Sequence, residues 1–167
     1  MISPRLAEVA AENWLKAQGY QTRRTVRTQW QKVDFFGADV IGKLPEETVY
    51  IQVTTAKRSK EIMLRKRKLE KIPWVETDYV YLFQCVERRD VLNPRRLNHY
   101  FRVYAYEEYI GSTHKWRSAD PVFITPDMLK AHSQLLKEDS GAIDSERESN
   151  PSINPQFPGS SGTNEGD

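Results

Sequence analysis

Apolar positions recur at helical spacing across residues 4–18, where Leu6, Val9, Ala10, Trp14 and Ala17 line one stripe. Ser3 suits the N-cap, Pro4 the first turn and Gly19 the C-terminal stop, so the segment predicts a helix. Glu8 and Glu12 fall off the centre of that stripe. Residues 20–30 then alternate loosely through Tyr20, Thr22, Val26, Thr28 and Trp30, with Arg23, Arg24 and Arg27 between them. This reads as an edge strand with a basic outer face. Two further runs, 38–42 and 49–55, flank a turn at residues 43–47 and predict a hairpin. Val40, Ile41, Val49, Tyr50 and Ile51 are β-branched or aromatic, as central strands prefer.

The period turns helical again at residues 59–71, where Ile62 and Leu69 face inward together with Met63 or with the stems of Arg65 and Lys66. Ile72-Pro73-Trp74 closes this helix. Residues 78–86, DYVYLFQCV, are nearly continuously apolar and predict a strand buried on both faces. A polar loop at 88–96, an alternating strand at 100–106 and a turn or loop at 111–118 follow. Thr125 is placed to cap a last helix, with Pro126 at its first position and Asp127 in its first turn, running to about residue 136. From about residue 139 Ser, Gly, Asn, Pro and acids dominate, a composition that cannot bury enough apolar surface to order itself. The expected organisation is one α/β (α+β) domain over 1–137, a mixed sheet flanked by helices, and a disordered acidic tail over 138–167.

Composition narrows the setting. The chain has 167 residues, enough for one domain with a real core, and is 38% hydrophobic and 29% charged. No apolar run reaches the roughly 18 to 20 residues of a membrane span, and residues 1–14 lack the apolar core of a secretory signal. The single cysteine, Cys85, lies in an apolar run and reads as a buried, inert thiol. The cytoplasm is the expected location, that of the host if the protein is phage-encoded. The net charge of +2 conceals an asymmetry: residues 138–167 hold seven acids and one base, which leaves +8 on residues 1–137. A polyanionic partner fits that charge. The densest run is 56–71, with Lys57, Arg58, Lys60, Arg65, Lys66, Arg67, Lys68 and Lys71 against Glu61 and Glu70. It is either a solvated helical face or one wall of a phosphate-binding groove.

The hairpin carries the candidate chemistry. Asp39 opens its first strand and Gln52 sits in the second between Ile51 and Val53. Residues opposite one another on a hairpin lie about 5 Å apart, close enough for a carboxylate and an amide oxygen to share one ion. Mg²⁺, or Mn²⁺ in its place, takes such oxygen ligands, polarises a phosphate and lowers the pKa of an attacking water. A nearby lysine would stabilise the anionic transition state. Asp34 is either a further ligand or the cap of the turn Phe35-Phe36-Gly37, whose phenylalanines read as core. His99, His114 and His132 have no zinc-site spacing, and no Gly-rich phosphate loop of an NTPase occurs.

Over residues 5–85, the order helix, strand, hairpin, helix, strand with an acid on the first helix resembles the PD-(D/E)XK nuclease superfamily, nearest to its archaeal-type Holliday junction resolvase branch. Glu8 precedes Gly19-Tyr20 as the family's helix glutamate precedes its Gly-aromatic pair, Asp39 matches the strand acid, and Gln52-Val53-Thr54 stands at the Glu/Gln-X-Lys. Asp34-Phe35-Phe36-Gly37, Asp39 and Gln52-Val53-Thr54 are also similar to the D-x-F-G…D…Q-x-T pattern of small, nuclease-like phage-type proteins. The resemblance implies a restriction-endonuclease-like core and a Mg²⁺-dependent DNA endonuclease, selective for Holliday junctions or other branched DNA. Glu8, Asp39 and Gln52 would hold the metal. Thr54 occupies the lysine position, so Lys57 becomes the catalytic cation, ahead of Lys43 and Lys60; Glu12 is the alternative to Glu8. Lys57, Arg58, Lys60, Arg65, Lys66, Arg67 and Lys68 would contact nucleic acid. Many such nucleases are dimers, which makes a homodimer the second implied partner. Thr54 and Gln52 favour a rival reading, a degenerate nuclease fold that binds DNA or serves assembly; a protein-binding factor whose basic helix docks an acidic partner is a third.

Overall fold

Pro4–Ala17 forms helix α1 in the computed structural model, which describes residues 1–25, 37–73, 75, 78–109 and 113–130. The Ser3 hydroxyl accepts the Leu6 N–H at 3.2 Å, and Pro4 opens the first turn, where its missing N–H costs nothing. At the other end Gly19 takes a φ of +90°, and the Tyr20 and Gly19 N–H groups donate to the Leu15 and Lys16 carbonyls. The buried side is Ala7, Val9, Ala10, Ala11 and Leu15. This corrects the predicted stripe, since Leu6 is 42% exposed and Ala17 is also exposed. Three alanines let the helix backbone approach the sheet closely, and that fit outweighs the larger Leu6. Gly42 completes it: a Cβ there would lie 2.9 Å from Leu15 Cδ1.

Six strands form one mixed sheet in chain order: β1 Gln21–Arg24, β2 Val40–Leu44, β3 Glu47–Thr54, β4 Asp78–Arg89, β5 Leu97–Tyr109 and β6 Thr113–Phe123. Every neighbouring pair is antiparallel except β3–β4, which is parallel. A parallel pair needs a long crossover, and helix α2, Ser59–Leu69, lies in it. The fold is thus α+β, a mixed sheet with two helices, as the pattern predicts. Among the described residues no helix is long and apolar enough to cross a membrane.

Side-chain alternation gives the sheet two unlike faces. On one, α1 packs against Val40, Val49, Ile51, Val53, Phe83, Phe101 and Val103. On the other, Ile62 and Leu69 of α2 meet Ala38, Val80 and Leu82, with Ile41, Tyr50, Tyr104, Tyr106 and Trp116 around them. Leu82 and Phe83 are both fully buried, which realises the two-sided burial predicted for β4. Cys85 is half-buried, and desolvation, with a smaller contribution from Glu87, pushes its thiol up to about 11. The thiol therefore stays protonated at neutral pH.

Two expectations are corrected. Residues 113–118, read as turn or loop, belong to β6, an edge strand whose polar residues show too little apolar alternation to be recognised. β6 holds one extra residue opposite the Phe101–Val103 stretch, at Asp120-Pro121, where a proline N–H is not needed. The last helix is, in the described residues, a single 3-10 turn, Asp127–Leu129. The Thr125 hydroxyl accepts the Met128 N–H at 3.4 Å, but the N-cap position is Pro126, without a side-chain cap. Lys130 is extended, and the Asn13 amide draws the Met128 and Lys130 carbonyls to α1 at 2.9 and 2.7 Å. The chain divides into Met1–Lys130 and Ala131–Asp167, and the second unit lies outside the described residues. So do the predicted tail, the helix remainder at 131–136, strand residues 26–30, Asp34, Phe35, Phe36 and Trp74.

Candidate functional site

Asp39 stands at a bend just before β2, stitched to both neighbouring strands. Its N–H donates to Ile51 O at 2.8 Å, and its carbonyl accepts the Thr25 N–H at 2.9 Å. The carboxylate then takes over from the backbone: Oδ2 accepts the Val53 N–H at 2.8 Å. The side chain replaces a ladder carbonyl that the departing strand no longer supplies. At 4% exposure this carboxylate is held by charge-assisted hydrogen bonding rather than by water.

The β2–β3 register begins with Val40 opposite Ile51, and Asp39 lies at the bend just before it. Gln52 is 3% exposed, lies beside Leu82 of β4 and points to the α2 face, since Ile51 and Val53 point to α1. Its Oε1 is buried and has no hydrogen-bond partner among the described residues. Its Nε2 lies 3.4 Å from where a Cβ on Gly37 would sit, and Gly37 has a φ of +86°. Glycine at 37 thus serves the backbone conformation. An unpartnered buried amide oxygen costs about 1–3 kcal/mol, so a residue kept there invites a ligand explanation. A carboxylate and an amide oxygen are each donor types that suit a hard divalent cation.

The other anticipated site residues are distributed differently. Glu8 is half-buried on α1, which packs against the face opposite to the one Gln52 addresses. Glu12, its alternative, is engaged elsewhere: it pairs with Arg24 at 2.6 Å and Lys16 at 3.2 Å and accepts the Thr22 hydroxyl at 2.9 Å. It fastens α1 to β1. Thr54, at the lysine position, is 3% exposed, and its hydroxyl accepts the Ala56 N–H at 3.0 Å, shaping the turn out of β3. Lys57 and Arg58 emerge exposed from that turn. Among the described residues no group of three or more His, Cys, Asp or Glu could hold a metal.

Helix α2 presents its bases on more than one side. Arg58, Lys60, Arg67 and Lys68 are exposed, while Arg65 and Lys66 are half-buried. Arg65, Arg67, Lys68 and Lys71 line a shallow groove of about 420 Å³ with Glu61 and Leu64. Lys66 instead turns toward the sheet, its ammonium 3.9 Å from the Tyr104 ring centroid. Burial lowers its pKa, partly offset by Glu70. Lys57, Lys66, Gln84, Arg102 and Tyr104 border a second cleft, of about 320 Å³. Arg102, Tyr104 and Gln84 were missed by the sequence reading. The signal was there in YFRVYAY, whose alternation puts Tyr100, Arg102, Tyr104 and Tyr106 on one face. What the pattern cannot give is which face meets α2. Sequence comparison finds no matching family model and no matching curated protein.

Proposed function

We propose that this protein is a divalent-metal-dependent DNA endonuclease of the PD-(D/E)XK type, with Asp39 and Gln52 as its metal-facing pair. The observation that carries the reading is the buried, unpartnered Oε1 of Gln52 on the strand whose Val53 N–H binds the buried Asp39 carboxylate. An apolar side chain would fill that space at lower cost, and an oxygen-seeking cation is the partner both groups fit. The arrangement α1-β1-β2-β3-α2-β4, with β3 parallel to β4, supports the fold assignment on which the proposal leans. Mg²⁺ or Mn²⁺ bound there supplies polarisation of the phosphate and a more acidic water.

The chain's own residues do the rest. The Val53 N–H fixes the Asp39 carboxylate so that it cannot swing away. Gln52 adds a neutral oxygen donor, which lowers the charge of the site relative to a glutamate. Glu8 lies on α1, across the sheet from Gln52, and takes no part in this pair; Lys57 is the proposed cation that offsets developing negative charge. Arg58, Lys60, Arg65, Arg67 and Lys68 follow the backbone, branched DNA being the substrate that the resemblance implies. Two-strand cutting assigns one such site to each member of a homodimer. Asp39→Ala is expected to abolish Mg²⁺-dependent cleavage of junction and duplex DNA while binding persists. Continued cleavage by that variant, folded, removes the assignment.

A second reading has its own observation. The Thr54 hydroxyl is committed to a turn and carries no charge, which favours a nuclease fold that binds DNA without cutting it. Binding across duplex, single-stranded and junction DNA, with no hydrolysis in Mg²⁺ or Mn²⁺, would establish it.

A further inference from the structure

We infer that the cleft between α2 and strands β4 and β5 is a binding site for a terminal phosphate, the monoester phosphate of a nucleotide or of a nucleic-acid strand end. Three cations, Lys57, Lys66 and Arg102, line it with Ser59, Gln84 and Tyr104, and no acid does. None of the three forms an ion pair among the described residues. Some cations elsewhere are neutralised by the chain itself: Arg24 and Lys16 by Glu12, Arg117 by Glu107. Glu70 partly balances Lys66, while Lys57 and Arg102 have no ion pair among the described residues, so the concavity keeps an excess of positive charge that an anion from outside can meet.

The walls are built rather than incidental. Gln84 is buried and donates to Ala56 O at 3.0 Å, with the Tyr104 hydroxyl 3.5 Å from its Oε1. The Tyr104 ring supports the Lys66 ammonium, and Trp116 lies beside it at 5.5 Å, held by its own N–H donated to Glu70 at 2.9 Å. Arg102 lines the same cleft from β5 and is exposed. The Lys66 ammonium, held against the Tyr104 ring, loses little side-chain entropy on binding.

Charge and size choose among anions. Three cations match the dianion of a phosphate monoester better than the single charge of a backbone diester. A cleft of about 320 Å³ has room for a phosphate and its attached sugar, not for a run of duplex. Duplex phosphates are better served by the exposed bases along the outside of α2. The inference rests on the proposed nucleic-acid partner and not on the metal pair, so the two can fail separately.

The test measures binding of the full chain to one single strand bearing a 5′-phosphate, a 3′-phosphate or hydroxyl ends, with inorganic phosphate as competitor. A phosphorylated end is expected to bind about tenfold tighter than the hydroxyl-ended strand. Millimolar phosphate should erase that difference, as should Arg102→Ala and Lys66→Met, each checked for native circular dichroism. The methionine keeps the apolar stem against Tyr104. A mononucleotide that binds as tightly as the phosphorylated strand supports the site and assigns it to free nucleotides. Equal affinities for phosphorylated and hydroxyl ends, without mononucleotide binding, overturn the inference, and so does a phosphate preference that survives both substitutions. Phosphate preference without cleavage sinks the endonuclease reading alone; cleavage without phosphate preference sinks this inference alone.

Discussion

The two faces of the sheet are built from the same strands and obey different rules. The face under α1 is apolar and interlocked, with the Phe83 ring 5.2 Å from Trp14 and 5.0 Å from Phe101. The face under α2 holds Gln52, Thr54 and Gln84 in buried positions, and a helix that buries only Ile62 and Leu69. One face spends its positions on packing. The other gives up packing to keep polar atoms and cations in place, which is the pattern expected where binding or chemistry is done.

That contrast can be broken, most strongly at its apolar end. Phe83→Ala should cost about 3–5 kcal/mol in urea unfolding, a large share of a domain's usual stability. Asp39→Ala should cost about 1–3 kcal/mol, because it leaves the Val53 N–H buried without an acceptor. Activity of that variant must therefore be read on protein shown to be folded. Gln52→Met keeps the shape and removes the unpartnered oxygen, so stability should hold or rise by up to about 1 kcal/mol while metal-dependent cleavage is lost. A loss at Gln52 as large as that at Phe83 would erase the distinction between the faces. Lys60→Ala, on the exposed side of α2, should change stability by no more than about 0.5 kcal/mol. If Lys60 contacts one phosphate, the salt dependence of DNA binding should flatten by about one unit of slope.

Sequence legibility followed the locality of each signal. The span of α1, the hairpin of β2 and β3, and β4 were readable because caps, glycine and alternation act within a few residues. The inward side of α1 was misjudged because alanines 7, 10 and 11 weigh little in a hydrophobic pattern, although they decide how near the helix can come. β6 escaped because an edge strand satisfies itself with polar residues. That Asp39 and Gln52 stand at adjoining strands was legible from the hairpin pattern. The bond from Asp39 to the Val53 N–H was not, since it depends on how β2 bends at its start. Arg102 joins Lys57 only through the ladder from β3 to β5, which no local pattern reports.

The order of the strands has a consequence for how the chain folds. Each strand lies beside its predecessor, so most pairing closes over short distances along the chain. The parallel seam is different: β3 ends at Thr54 and must wait for β4, which begins at Asp78. Closure entropy places that join late, after the hairpin and the β4–β6 meander have formed separately. Mutations at Ile51 and Leu82 should then speed unfolding more than they slow folding, as φ-value measurements would report. Gln52 pairs with Leu82 on that seam, so a half-folded chain carries its bases and its phenylalanines but no assembled site.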